Sequence, residues 1–207
     1  MKSVLQNGAM YQLFQVAVGA FSARVSMMRR YLHLQAGQRV IDIGCGPGHI
    51  LTKIPEGVIY DGFDMECGYI DFANQHFGSK GSFHCRLFDI DAVSEFGPAD
   101  VVMMNGVLHH MDDDSARMTV SLVEKVLKPG GTFFALDGVY TAGQGAIAKW
   151  FLDNDRGKFV RTEGAYRAIF SASFPSCEIN LHDDLLRIPY SLAISLCRKP
   201  GAQREPL

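Results

Sequence analysis

VIDIGCGPGHI, residues 40–50, governs how the rest of the chain is read. An apolar run carrying one acid, Asp42, ends in a turn with glycines at 44, 46 and 48. Glycine reaches backbone conformations that other residues avoid and leaves the main chain bare. Three of them directly after a strand therefore describe a cradle in which backbone approaches a ligand. Residues 39–43 become the first strand, and the polar residues at the ends of the later strands must identify the ligand.

The 207 residues, 47% hydrophobic and 20% charged, suit one domain large enough to bury a core. A formal net charge of −2 gives no electrostatic footprint for a polyanion, so nucleic acid is not an expected partner. The cysteines at 45, 67, 85, 177 and 197 are odd in number and form no C-x-x-C pair. Neither a disulfide framework nor a zinc ribbon is expected from them, and a reducing, cytoplasmic setting fits. Residues 13–23 are apolar and end in small side chains, as a leader peptide would. Yet Tyr11, Phe14, Val18, Phe21, Val25, Met28 and Leu32 recur at steps of three and four, which predicts an amphipathic helix instead. No apolar run approaches the roughly 20 residues of a membrane span.

From residue 38 onward, strand and helix patterns alternate. Strands are expected at 39–43, 58–63, 82–87, 99–104 and 132–136, with two more at 177–182 and 190–198. Helices are expected at 66–77 and 113–127, the second stopped by Lys128-Pro129-Gly130-Gly131, with a less regular stretch after the fifth strand to about residue 173. Such alternation predicts an α/β domain with a mostly parallel sheet and helices on both faces. In a parallel sheet ligands bind outside the C-terminal strand ends, so the tips of strands one to four locate the site.

Each tip carries a polar group. Asp64 follows Asp42 by 22 residues and could accept both hydroxyls of a ribose, or cap the next helix. Asp61 reads as a solvated strand residue. Asp89 could accept from the amine of a purine, although an acid there is also an ordinary turn residue. Asn105 opens the stretch Asn105-Gly106-Val107-Leu108-His109-His110 after strand four.

The chain resembles the class I S-adenosylmethionine-dependent methyltransferases over about residues 38–198. The likeness is carried by VIDIGCGPGHI (40–50), GFDM (62–65), FDI (88–90), ADVVMMNGVLHHMDD (99–113) and LKPGGTFFALD (127–137). It implies a Rossmann-like fold with a seven-stranded, mostly parallel sheet whose last strand is antiparallel. It implies S-adenosyl-L-methionine as cofactor and S-adenosyl-L-homocysteine as product. Gly44, Cys45, Gly46 and Gly48 would border the methionine part, with Asp42 and Asn105 near its amino group. Asp64 would bind the ribose, Met65 and Ile90 would sandwich the adenine, and Asp89 would meet its amine. The expected organisation is one domain over 1–207: a helical cap or lid at 1–37, a cofactor-binding core at 38–137, and a substrate-side segment with the last two strands at 138–207. A dinucleotide oxidoreductase fits less well, because residue 49, where G-x-G-x-x-G needs glycine, is His.

Methyl transfer is an in-line displacement at sulfur, so holding the reactants together supplies most of the acceleration. An oxygen nucleophile must also lose a proton, which makes His109 and His110 the candidate bases, with structural packing the alternative for at least one of them. Acceptor contacts are expected from Tyr11, Tyr140, Arg156, Arg161, His182, Arg187 and Tyr190. Three arginines with His182 near one opening would suit an anionic small molecule. No metal site is expected, because Asp112, Asp113 and Asp114 read as a helix start. The function expected is methylation of a small molecule, at oxygen; a cofactor-binding protein without transfer, or a methyltransferase of macromolecules, is the alternative. The oligomeric state is not legible.

Overall fold

The computed structural model describes residues 18–201. The first element among the described residues, α1 (Ala20–Tyr31), buries Ala23, Met27 and Met28. Val18 and Leu32 prolong that stripe beyond the helix ends. The Tyr11 and Phe14 positions, and with them the question of a lid, lie outside the described residues.

After α1 come β1 (Arg39–Ile43), a 3-10 turn (His49–Lys53), β2 (Ile59–Asp64), α2 (Cys67–Phe77), β3 (Ser82–Cys85), α3 (Ile90–Phe96) and β4 (Ala99–Asn105). A second 3-10 turn (Leu108–His110) leads to α4 (Asp113–Val126) and β5 (Leu127–Tyr140). The described residues continue through α5 (Ala146–Asp153), β6 (Arg161–Thr162), α6 (Glu163–Phe170), β7 (Cys177–His182) and β8 (Leu192–Arg198).

The strands lie in the order β3-β2-β1-β4-β5-β8-β7, and the two-residue β6 pairs with the end of β5. All neighbours from β3 to β5 are parallel, whereas β8 runs antiparallel to both β5 and β7. This is the expected mostly parallel sheet with an antiparallel last strand, with β6 added. Between β1 and β4 the strand order reverses, which opens a crevice beyond their C-terminal ends.

Side-chain alternation divides the core into two layers. Ile41, Val102 and Phe133 meet Val120 and Val123 of α4 and Ile169 and Phe170 of α6. Val40, Met103 and Phe134 belong to the opposite layer with Met27 and Met28 of α1, Ile70 and Ala73 of α2, and Leu152 of α5. Strands buried on both faces explain why the sequence shows continuous apolar runs there.

Four departures from the sequence reading have local causes. Lys128-Pro129-Gly130-Gly131 ends α4 but lies within β5, where pairing with β4 breaks register between Ala99 and Val101. The stretch after β5 is helical over α5 and α6, the latter capped by Thr162, whose hydroxyl accepts from Ala165 N. Asp61 is buried and paired with Arg39 and His84, because strand pairing brings those side chains to it. The cysteines are the largest correction: Cys67–Cys85 and Cys177–Cys197 form disulfides, and Cys45 alone is free. No spacing motif announces these pairs, since the sheet creates them. Cys85 lies beside Asp64 in register, three positions before Cys67, and Cys177 is the register partner of Cys197. With four of the five thiols paired, a reducing compartment no longer follows from the cysteines. Among the described residues no helix is long and apolar enough to cross a membrane.

Candidate cofactor and acceptor site

The Gly-rich turn folds back on the neighbouring strand tips. Gly44 N and Cys45 N both donate to Phe63 O, at 2.7 and 3.0 Å, and the side chain of Val107 packs against Gly44. Gly46 has φ +55, and a Cβ built there would meet nothing within 4 Å. Its lack of a side chain therefore leaves open space beside the backbone, as a ligand cradle requires. Gly46 N donates to Asp64 Oδ2 at 2.9 Å, and Glu66 N donates to Asp64 Oδ1 at 2.9 Å. One carboxylate thus ties the cradle to the loop after β2 and stands at the crevice edge.

Asp42 is 2% exposed. Tyr60 Oη donates to its Oδ2 at 2.7 Å, while Oδ1 is buried with no hydrogen-bond partner among the described residues. Burial is the main reason that its pKa is raised to about 7, partly offset by the Tyr60 hydrogen bond. Asn105 Oδ1, at the tip of the adjacent β4, is likewise buried and unpartnered. Two orphaned acceptors on neighbouring strand tips provide what an ammonium group lacks when it leaves water. Together with the Gly46 space and the Asp64 carboxylate, they fit the amino and ribosyl ends of the expected cofactor.

Met65 just after β2, Leu87 beyond β3 and Ile90 at the start of α3 are exposed apolar side chains, at 72%, 53% and 53%. They suit the faces of a flat aromatic ring. Asp89 has a structural duty in addition to any ligand role: its Oδ1 caps α3 by accepting from Ala92 N at 2.9 Å and takes a second bond from Arg86. Cys45 is half-buried, and desolvation pushes its thiol well up, so it is no nucleophile.

The two histidines differ in kind. His109 is 6% exposed, with Nδ1 2.8 Å from Asp137 Oδ1 and Nε2 3.4 Å from Asp155 Oδ1. Burial opposes its protonation, but the hydrogen bond and charge of Asp137, aided by Asp155, prevail and hold it above the usual histidine value. His110 is exposed; partial desolvation first, and His109 second, lower its pKa. Gly157 lies against the His109 ring so closely that a Cβ there would come within 1.8 Å of Cδ2. Neither Asp137 nor Asp155 was expected as a site residue. Asp137 closes the LKPGGTFFALD stretch, whereas Asp155 lies in the covering segment with no pattern to mark it.

On the acceptor side, most of the expected residues have partners within the protein. Arg161 is corrected outright: 6% exposed, it donates to the carbonyls of Leu108, Met111 and Phe159 and to Asp113, so no N–H fork is left for a substrate. It fixes the turn carrying the histidines from within. Tyr190 is buried and donates to Asp155 Oδ2 at 2.8 Å, and Tyr140 donates to Asp153 Oδ1 at 2.8 Å. Burial is the leading cause that raises Tyr140 to about 12. His182 lies 3.4 Å from Tyr31 Oη, and Arg187 runs past Gly19 at the start of α1. Arg156 is exposed and its charge reaches His110. Tyr11 is outside the described residues. Asp112 caps α4, accepting from Ser115 N at 2.8 Å, in agreement with the acidic run as a helix start.

Residues 41–133 match the sequence model of the methyltransferase domain family. The ubiquinone biosynthesis O-methyltransferase of Aromatoleum aromaticum is 30% identical over 103 residues, 48% of this chain and 43% of that protein. Its counterpart from Chelativorans sp. is 27% identical over 149 residues, 66% of this chain and 58% of the relative. The chain spans about half the length of the curated relatives it matches. Human N-acetylserotonin methyltransferase, solved with the cofactor, superposes with a TM-score of 0.71 at 18% identity, over 97% of this chain and 59% of that one, which shows a common fold. Over residues 41–133 the chain is thus similar to a methyltransferase domain, and it shares its fold with a solved S-adenosylmethionine-binding methyltransferase.

Proposed function

We propose that this chain transfers the methyl group of S-adenosylmethionine to a hydroxyl of a small molecule. The observation that carries the reading is the pair of orphaned acceptors, Asp42 Oδ1 and Asn105 Oδ1, beside a glycine turn with open space at Gly46. When bound, the cofactor supplies a methyl group on a sulfonium, reactive toward an oxygen lone pair. Asp42 and Asn105 would accept from its ammonium group, and Asp64 from its ribose hydroxyls. Met65 and Ile90 would flank the adenine, with Asp89 and Cys45 at the margins.

Transfer to oxygen draws support from the O-methyltransferase relatives and from His110, whose lowered pKa leaves a neutral imidazole at neutral pH. His110 would take the hydroxyl proton; His109, with both ring nitrogens facing carboxylates, would not. The acceptor is proposed as uncharged rather than anionic, because Arg161 is committed elsewhere. Nucleic acid is not proposed as a substrate, given the net charge of −2. Cofactor supply favours the cytoplasm, while the paired cysteines favour surroundings that leave disulfides intact. The three-part organisation at 1–37, 38–137 and 138–207 remains part of the proposal. Calorimetry with the cofactor, followed by a methyl-release assay over neutral phenols, carboxylates and amines, tests it. Turnover confined to carboxylates or amines would contradict the acceptor class.

A further inference from the structure

The buried carboxylate of Asp137, 3% exposed, needs a positive partner. Among the described residues its ion pairing is with His109 alone. On the other side of the same ring Asp155 faces Nε2, and it is itself held by Gly157 N and the Tyr190 hydroxyl. One nitrogen of His109 is thus hydrogen-bonded to a carboxylate and the other lies 3.4 Å from a second one, an arrangement of two acids that favours a positively charged ring. The ring of His110 lies against this one, with centroids 4.3 Å apart. Movement apart is restrained by Arg161 on the carbonyls of Leu108 and Met111 and by Phe159 N on His109 O.

We propose that His109 is a fixed imidazolium acting as a positioning residue, whose charge, pressed against the neighbouring ring, keeps His110 a neutral base. The inference rests on the proposed methyl transfer to a hydroxyl, and it assigns a separate role to each histidine. A second cation at that separation is disfavoured by Coulomb repulsion, so His110 keeps its lone pair. Among the described residues the charged groups that act on the pair are Asp137 from β5, Asp155 from the segment after α5, Arg156 toward His110, and Arg24 of α1 toward His109. The two acids support the charge on His109; Arg24 and Arg156 oppose further protonation.

The test is nitrogen NMR of the imidazoles in the full chain, titrated with and without substitution. In the wild type His109 should carry two N–H protons throughout the neutral range while His110 titrates below it. His109→Gln should move the His110 midpoint up by about one unit. Asp155→Asn, which keeps the shape, should lower the His109 midpoint and serves if the first variant does not fold. A singly protonated His109 at neutral pH, or midpoints unmoved in both variants, overturns the proposal. In turnover, the acid limb of the kcat/KM profile should move up with the His110 midpoint in His109→Gln; an unmoved limb overturns the base role. A chain that shows the NMR coupling but methylates no acceptor fails the functional reading alone.

Discussion

The hydroxyl of Tyr60 donates to Asp42 Oδ2 at 2.7 Å, and the other oxygen of that buried carboxylate has no partner among the described residues. A carboxylate whose folded pKa lies at about 7, against an ordinary 3.8, binds a proton that the unfolded chain releases. Its contribution to stability is therefore complete below the lower value and is lost as pH rises through the upper one. Asp42→Asn should be more stable than the wild type above pH 7, by about 2–4 kcal/mol, and should lose that advantage on acidification. Cofactor affinity should fall at least about tenfold, since hydrogen bonds to charged groups are strong. Denaturant unfolding at several pH values, with calorimetry, checks both; lower stability at high pH would refute the assignment.

Gly46 tests the cradle without touching the core. Alanine at φ +55 costs about 1–2 kcal/mol, and its methyl group enters the space next to the turn. Gly46→Ala should therefore remain folded while binding the cofactor at least about tenfold more weakly. Unchanged binding would mean that the space serves another purpose.

Arg161 should behave as a structural residue. Arg161→Ala leaves three carbonyls short of a donor and should cost about 3 kcal/mol in unfolding experiments. In protein that remains folded, the acceptor KM should stay within about twofold, a change too small to reflect a lost ion pair. A large rise in KM at unchanged stability would restore the arginine to the acceptor site.

The Cys67–Cys85 bridge closes a separation of 18 residues and ties the start of α2 to Cys85, the register partner of Asp64. Replacing both cysteines with serine should lower stability by about 2–3 kcal/mol. It should also weaken cofactor binding, because the Asp64 loop loosens. The same change at Cys177–Cys197, on the β7–β8 pair, should affect stability and leave affinity alone. Equal effects on affinity from the two pairs would show that the first bridge has no special bearing on the site.

Much of the fold was legible because strand and helix periodicities were strong where the core is dense. VIDIG, buried on nearly every side chain, could be little else than a central strand, and Asp112 announced α4. The strand-tip groups proposed for the cofactor were legible too, since they follow one another in sequence order. The cluster around the histidines was not. Asp155, Tyr190 and His109 come from three distant segments, and only the finished sheet brings them together. Arg161 read as surface because an arginine alone carries no sign that carbonyls will surround it. The disulfides escaped for a related reason: Cys177 meets Cys197 through strand register, and Cys85 meets the start of α2 just beyond its register partner Asp64, neither of which spacing along the chain encodes. Helices α5 and α6 are each only 8 residues long, too short for periodicity to stand out.

The most direct test is isothermal calorimetry of the purified chain with S-adenosylmethionine and with S-adenosylhomocysteine, beside Asp64→Ala. One cofactor should bind per chain at micromolar concentrations, weakened at least about tenfold when the Asp64 carboxylate is removed. Absence of binding to either compound at millimolar concentration, or identical affinity in the variant, would contradict a cofactor site at these strand tips.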